Sequence, residues 1–322
     1  MAPIDFQSIP SVPQAQGLVK LVIDRAARKI GVRKYRGGAI SRSLQAERDK
    51  LFFIRDELTE RLSTIITEYP SIDSLPEFYR RLLATKASPD AAKKALGSLK
   101  FAQRALKTVT SEHIQKLKQT RNREDARAIT RQFLGRTASV IKQVGSGLRL
   151  LEETRHAFRS FPSIDPEAFT VAITGFPNVG KSTLLSKITT ASPAIANYAF
   201  TTKTLNMGTF EYRFSTIQVL DTPGTLARTS ENDVELQARI ARQYLARLVV
   251  YVYDITEPYP LADQERLFSM VKKENDDVLI YLSKTDMLPK KQVAEFLEKH
   301  PGTLTSPDDV KTAVKKAFSA WT

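Results

Sequence analysis

The sequence predicts an all-α helical bundle over residues 1–165, followed over residues 166–322 by an α/β domain with a mostly parallel sheet and helices on both faces. Three observations carry this reading. Apolar residues recur every three or four positions through the first half. The period changes after Phe161-Pro162-Ser163-Ile164-Asp165-Pro166, where short β-branched runs begin to alternate with helical patterns. The charge divides at the same place: residues 1–165 hold 31 Lys and Arg against 17 Asp and Glu, while 166–322 hold 18 of each, so the whole net charge of +14 lies in the first half. A neutral domain beside a strongly basic one implies two tasks, the basic one directed at a polyanion.

The elements follow in order. Residues 14–30 carry Leu18, Leu21, Val22 and Ala26 at helical spacing. The basic stretch Arg33-Lys34-Tyr35-Arg36-Gly37-Gly38 breaks that pattern and reads as a flexible loop. A long helix is predicted over 41–69, with Leu51, Ile54, Leu58, Leu62 and Ile65 on one face. Pro70 and Pro76 bracket a turn, and helical patterns continue over 76–85, 90–108, 111–119 and 123–158. Ser88-Pro89-Asp90 supplies a start signal with proline at the first helical position. Gly145 and Gly147 either break the last pattern or admit another backbone.

In the second half, strands are predicted over 169–174, 204–214, 216–220, 248–253, 278–282 and 303–305, and helices over 181–191, 232–247, 263–274 and 292–299. Ser306-Pro307-Asp308-Asp309 opens a closing helix with a cap and first-turn acids. Cysteine is absent, which excludes disulfides and thiolate metal sites and suits a reducing compartment. The first residues lack a secretory pattern, and no run reaches the ~20 apolar residues that cross a bilayer. The expectation is a cytoplasmic monomer with no membrane partner. His113, His156 and His300 are scattered and read as structural or surface residues.

Gly175-Phe176-Pro177-Asn178-Val179-Gly180-Lys181-Ser182-Thr183 fits G-x-x-x-x-G-K-[ST] between a predicted strand and helix. Its glycines let backbone N–H groups converge on phosphate oxygens, and the helix N-terminus adds partial positive charge. Lys181 is placed to reach the β- and γ-phosphates, and Ser182 to offer a hydroxyl to Mg²⁺. Asp221-Thr222-Pro223-Gly224 closes an apolar strand; the carboxylate can hold Mg²⁺ through water, and the Gly224 N–H can sense a γ-phosphate. A D-x-x-G sequence is also a common turn, but Asp221 follows Lys181 by 40 residues, which makes it specific here. Between them, Tyr198-Ala199-Phe200-Thr201-Thr202-Lys203 offers Thr202, with Thr201 as the alternative, to complete a Mg²⁺ shell only when the γ-phosphate is present.

Ser283-Lys284-Thr285-Asp286 follows the strand at 278–282. Asp286 can accept two hydrogen bonds from guanine's ring N–H and exocyclic amine, a pair adenine does not offer, and the Lys284 stem can cover the base. Asparagine is usual at the first position; Ser283 is shorter, so its contact to the base or phosphate loop is weaker or different. Thr305-Ser306 is the candidate for the last base contact, because it follows a short strand and precedes a helix. The ligand set is GTP or GDP with Mg²⁺.

These motifs resemble those of the translation-factor-type P-loop GTPases, and the Asn-Val of the phosphate loop with the Phe-Thr-Thr switch resembles the Obg/HflX group. Leu75-Pro76-Glu77-Phe78-Tyr79, Lys94-Ala95-Leu96-Gly97, Gly135-Arg136-Thr137-Ala138-Ser139-Val140-Ile141-Lys142-Gln143, Phe161-Pro162 and residues 198–203 and 231–241 narrow this to a resemblance to the Nog-type nucleolar GTP-binding proteins, in their short archaeal form. The resemblance covers nearly the whole chain. It implies a helical domain ahead of an α/β P-loop GTPase domain, with Lys181, Thr202 and Gly224 at the reacting phosphate, and a role in assembly of the large ribosomal subunit. Thr225 departs from the family's usual Leu and from the water-orienting Gln of Ras-like GTPases, so intrinsic hydrolysis is expected to be slow. Asn178 resembles an asparagine that binds K⁺ in some relatives.

Arg123, Arg127 and Arg131 share one helix face, flanked by Arg121, Arg136, Lys116 and Lys118, with only Glu124 and Asp125 near. The expectation is rRNA binding through phosphates on a large-subunit precursor. The alternative from another class is a GTP-gated RNA- or protein-binding module that barely hydrolyses. A membrane or metal-transport regulator is disfavoured by the lack of spanning segments.

Overall fold

The structure is a computed structural model and describes residues 4–162, 164–190, 194–196, 205–222, 233–256 and 259–321. Helices α1 (Ala15–Gly31), α2 (Ala39–Glu68), α3 (Glu77–Ala84), α4 (Pro89–Gln119), α5 (Arg123–Gln143) and α6 (Gly145–Arg159) precede the first strand. They are followed by β1 (Thr170–Thr174), α7 (Lys181–Ile188), β2 (Ala194–Ala196), β3 (Leu205–Tyr212), β4 (Ser215–Asp221), α8 (Asp233–Tyr244) and β5 (Ala246–Tyr253). Helix α9 (Leu261–Glu274), β6 (Val278–Leu282), α10 (Lys290–Lys299) and α11 (Pro307–Trp321) complete the chain.

Two units emerge. One comprises residues 6–75 and 86–159; the other comprises 4–5, 76–85 and 160–321. Helix α3, though early in sequence, therefore belongs to the unit that holds the sheet.

In the all-helical unit the predicted stripe of α2 is buried as expected at Leu51, Ile54, Leu58, Leu62 and Ile65. On α1 the stripe is Leu18, Val22 and Ala26, and Leu21 turns outward with 38% of its surface exposed. The expected interruption between 108 and 111 is absent, and α4 runs unbroken for 31 residues. Thr110 is accommodated because its hydroxyl donates to the Leu106 carbonyl one turn back, 2.7 Å away. The pattern from 123 to 158 does divide, at Val144. Gly147 also admits a neighbour: a Cβ there would lie 3.2 Å from Ser98 Oγ and 3.4 Å from Ala95 Cβ on α4.

The other unit is built on one sheet, ordered β2-β3-β4-β1-β5-β6. The β1–β4, β1–β5 and β5–β6 pairs are parallel, and β2–β3–β4 is antiparallel. All five residues of β1 are buried, as a central parallel strand covered on both faces requires. The expected strand at 303–305 reduces to a parallel bridge from Leu304 to Tyr281 beside β6. Helix α3 packs on α8, with the Arg81 guanidinium 5.4 Å above the Tyr244 ring. Tyr79 anchors it: its hydroxyl lies 2.9 Å from the Pro162 carbonyl and 2.8 Å from that of Ile164, and accepts from the Ile164 N–H at 3.1 Å. Burial pushes this phenol up to about 12, so it stays neutral and keeps its proton to donate.

Candidate phosphate and guanine site

The carboxyl ends of β1, β4, β5 and β6 converge on the predicted motifs, where parallel α/β sheets bind ligands. The loop after β1 is forced to be glycine-rich. A Cβ on Gly175, at φ +150°, would sit 2.7 Å from the Val252 carbonyl oxygen of β5. Asn178 and Gly180 also take positive φ, +63° and +97°. These turns curl the loop into a concave row of amides that opens α7, which suits an anion. Phe176 and Val179 are buried and hold the loop from beneath, Phe176 with its ring centroid 4.9 Å from that of Tyr259. Pro177 is half-buried and Asn178 exposed.

Lys181 is 93% buried, and its Nζ donates to the Phe176 carbonyl at 2.6 Å, so its charge arches over the loop. Ser182 Oγ donates to Asp221 Oδ2 at 2.5 Å. Asn206 on β3, paired in register with Asp221, donates to the same oxygen at 3.3 Å. The other oxygen, Asp221 Oδ1, is buried without a hydrogen-bond partner. Burial raises this carboxyl above its ordinary range, and the bonds from Ser182 and Asn206 and the charge of Lys181 offset that only in part. A buried, half-satisfied carboxylate beside a hydroxyl and a phosphate-binding loop fits a hard divalent cation that keeps waters and phosphate oxygens for its remaining positions. Ser182 and Asp221 would hold it. Thr183 is exposed on the first turn of α7.

Thr222 serves β1: both its N–H, at 3.0 Å, and its hydroxyl, at 2.8 Å, go to the Ile173 carbonyl. Pro223, Gly224, Thr225, Thr201 and Thr202 lie outside the described residues.

The loop predicted to read the base leaves β6. Ser283 is buried against the phosphate loop, 3.5 Å from where a Gly180 Cβ would be, and its hydroxyl donates to the Tyr253 carbonyl at 2.9 Å. The short side chain thus ties β6 to β5. Lys284 takes a left-handed conformation, φ +54°, and its Nζ lies 2.6 Å from Asp254 Oδ2. Asp254 is wholly buried, with its other oxygen accepting from the Thr256 N–H and hydroxyl. Burial raises the Asp254 carboxyl, but Lys284 and the two Thr256 bonds outweigh it and hold it below the ordinary range. Asp286 is exposed on the short 3-10 turn that follows. Leu304, hydrogen-bonded to Ile280 and Leu282, brings Thr305 and Ser306 out at the same sheet end. Ser306 Oγ accepts from the Asp309 N–H at 3.1 Å, so its hydroxyl caps α11.

Three residues escaped sequence reasoning. Asp254 carried a signal, an acid at the carboxyl end of an apolar strand. Asn206 and Gly208 carried none, since their roles depend on register. A Cβ on Gly208 would lie 2.6 Å from Thr189 Cγ2, so its absence lets the end of α7 close on β3.

On the helical unit, Arg123, Arg127 and Arg131 are exposed along α5, with no acidic partner among the described residues. The loop before α2 is less free than expected: Arg33 lies 2.5 Å from Asp49, and Tyr35 donates to the same oxygen at 3.3 Å.

Comparison with known proteins adds the following. Residues 6–165 match the family model described as the NOG1 N-terminal helical domain, and residues 170–284 that described as 50S ribosome-binding GTPase. Nucleolar GTP-binding protein 1 of Drosophila melanogaster is 33% identical over 301 residues, 92% of this chain and 46% of the fly protein. The protein of that name from Arabidopsis thaliana is 32% identical over 92% of this chain and 45% of its own length. That of Saccharomyces cerevisiae is 30% identical over 93% and 48%. The chain spans about half the length of the curated relatives it matches. Their names correct the cytoplasmic expectation by pointing to the nucleolus. The expectation rested on composition, which does not distinguish compartments that share one reducing environment. Among the described residues, no helix is long and apolar enough to cross a membrane.

Proposed function

The chain belongs to the nucleolar GTP-binding protein 1 family, and from that premise we propose that it is a Mg²⁺-dependent GTPase acting on a precursor of the large ribosomal subunit. The observation that carries the nucleotide part is the pairing of Ser182 with a buried Asp221 whose second oxygen has no hydrogen-bond partner, directly under the Gly175–Thr183 loop. In this reading the loop amides and Lys181 bind the phosphates, and Ser182, Asp221 and Thr202 (or Thr201) hold Mg²⁺, which supplies charge neutralisation at the phosphates. The Gly224 N–H meets the γ-phosphate. Asp286 reads guanine with the Lys284 stem beside it, and Thr305 and Ser306 close the base pocket. Hydrolysis is slow because Thr225 is too short to orient water as a glutamine does. Asn178, exposed at the mouth of the loop, is the candidate K⁺ contact.

The basic face of α5 supports docking on rRNA by phosphate contacts, as a monomer. The deciding experiment has two parts. Binding titrations should favour GTP and GDP over adenine nucleotides, and the protein should sediment with large-subunit precursors only when GTP is present. Equal affinity for ATP would remove the nucleotide reading, and GTP-independent or absent co-sedimentation would remove the assembly reading. Turnover in KCl against NaCl tests the ion, with equal rates counting against it.

A further inference from the structure

Where α2 begins and α4 ends, the helical unit opens a cavity of about 380 Å³. Its floor is apolar. Ile40 and Leu44 of α2 face Ile114 and Leu117 of α4, and while Ile114 and Leu117 are buried, Ile40 keeps 49% of its surface exposed. Its rim is cationic, formed by Arg48, Lys118 and Arg121, and no carboxylate lines it. Beside it, Asp49 lies 3.8 Å from Arg48 but 2.5 Å from Arg33, so two guanidinium groups share one carboxylate and one positive charge remains. Lys118 and Arg121 have no ion-pair partner among the described residues. Helix α2 starts at this mouth with no side-chain cap and no acid in its first turn, which adds to the positive potential.

An apolar floor inside a cationic rim selects a ligand with a flat apolar body and anionic ends. A phosphate alone would leave the floor wet, and an apolar peptide would leave three charges unmatched. Inorganic anions and duplex RNA, whose bases are stacked away, satisfy only the rim. Single-stranded RNA satisfies both, because an unstacked base can enter while its flanking phosphates stay outside, and guanidinium planes such as those of Arg48 and Arg121 stack on bases. The rim also leads into the arginine face: Arg121 is followed by Arg123, Arg127 and Arg131 along α5.

We propose that this cavity holds one unstacked nucleotide of single-stranded RNA, with the neighbouring phosphates on Arg48, Lys118 and Arg121. This rests on the rRNA-binding reading of the helical unit and adds to it a preference for strand state.

The test uses the whole chain and fluorescence anisotropy with a labelled single-stranded RNA, the same oligomer carrying an abasic site, and a duplex of equal length. The wild type should prefer the single strand, and an abasic site presented to the cavity should weaken it by about tenfold, the value of one stacked base. Ile40→Asp, at an exposed position, should remove the preference by weakening the single strand far more than the duplex. Lys118→Glu with Arg121→Glu should weaken the single strand more than the duplex and flatten its salt dependence. Arg127→Glu with Arg131→Glu should weaken both RNAs alike. Far-ultraviolet circular dichroism and urea midpoints check that each variant folds. If Ile40→Asp leaves the strand preference intact, or the wild type has none, the cavity assignment is overturned while the α5 reading stands. If an acidic peptide displaces the single strand from the wild type but not from Ile40→Asp, the occupant is a protein and the assignment is again overturned. If the α5 variant binds all RNAs as the wild type does, the underlying rRNA reading fails.

Discussion

Replacing Asp254 with Asn tests how the loop proposed to read guanine is held. The side chain is wholly buried, and the Lys284 ammonium 2.6 Å from it is 32% exposed. Removing one partner of a fully buried pair costs about 3–5 kcal/mol. That figure shrinks here because a third of Lys284 reaches water, and because Asn can still accept from Thr256, leaving about 1–3 kcal/mol. Lys284 also sits at φ +54°, a conformation that costs an ordinary residue roughly 1–2 kcal/mol, and the ion pair is what opposes its relaxation. Once released, the loop must be reordered for each guanine bound, so GDP should bind roughly 5–30-fold more weakly. The assays are titration of a fluorescent GDP analogue and urea unfolding across pH. The folded carboxyl titrates below its ordinary value, so the pair's stabilisation is complete above about pH 5 and lost as pH falls through the folded pKa. The variant should therefore trail the wild type by a constant margin from pH 7 to 5 and converge with it only in stronger acid. GDP affinity within twofold of wild type, or a margin that vanishes between pH 7 and 6, would refute this account.

Other outcomes follow from single contacts. Gly208→Ala should destabilise by about 1–3 kcal/mol in urea, because its Cβ would lie 2.6, 2.7 and 2.8 Å from Thr189 Cγ2, Oγ1 and Cβ, and Thr189→Gly, which removes all three atoms, should rescue it; an additive double variant would count against the clash. Asp221→Asn should stabilise the nucleotide-free protein, since burial raises this carboxyl and its ionisation weighs against the fold increasingly as pH rises through the folded pKa. The same change should abolish any gain in unfolding midpoint from MgCl₂ with GDP, and a less stable nucleotide-free variant would contradict the reading of Asp221. Tyr79→Phe should cost about 1–3 kcal/mol by taking the hydroxyl donor from the buried Ile164 carbonyl, while the Ile164 N–H keeps its bond to the Pro162 carbonyl, and an unchanged urea midpoint would exclude that role.

Much of this was legible in the chain because it rests on local chemistry. A phosphate loop needs glycine where backbones touch, and Gly175 against Val252 shows why the motif could be read without a fold. The stripe from Leu51 to Ile65 is periodic, and burial follows period. What stayed hidden depends on strand register or tertiary choice. Asn206 reaches Asp221 only because β3 and β4 pair at that offset. The partners of the Thr222 hydroxyl, which bonds Ile173, and of the Ser306 hydroxyl, which caps α11, are likewise supplied only by the fold. The supposed break before Ser111 failed because Thr110 bonds its own helix, a choice that composition does not reveal.

The placement of α3 bears on how this protein can be divided. A fragment starting at residue 166 retains every strand, yet it lacks the segment whose Phe78, Tyr79, Leu82 and Leu83 are buried, and it strips α8 of its cover. The unit that holds the sheet is thus stitched by ten residues borrowed from upstream, 76–85, and deleting the preceding residues to isolate it removes part of its own wall. Complementation with a peptide of that segment, rather than simple truncation, is the natural way to obtain it alone.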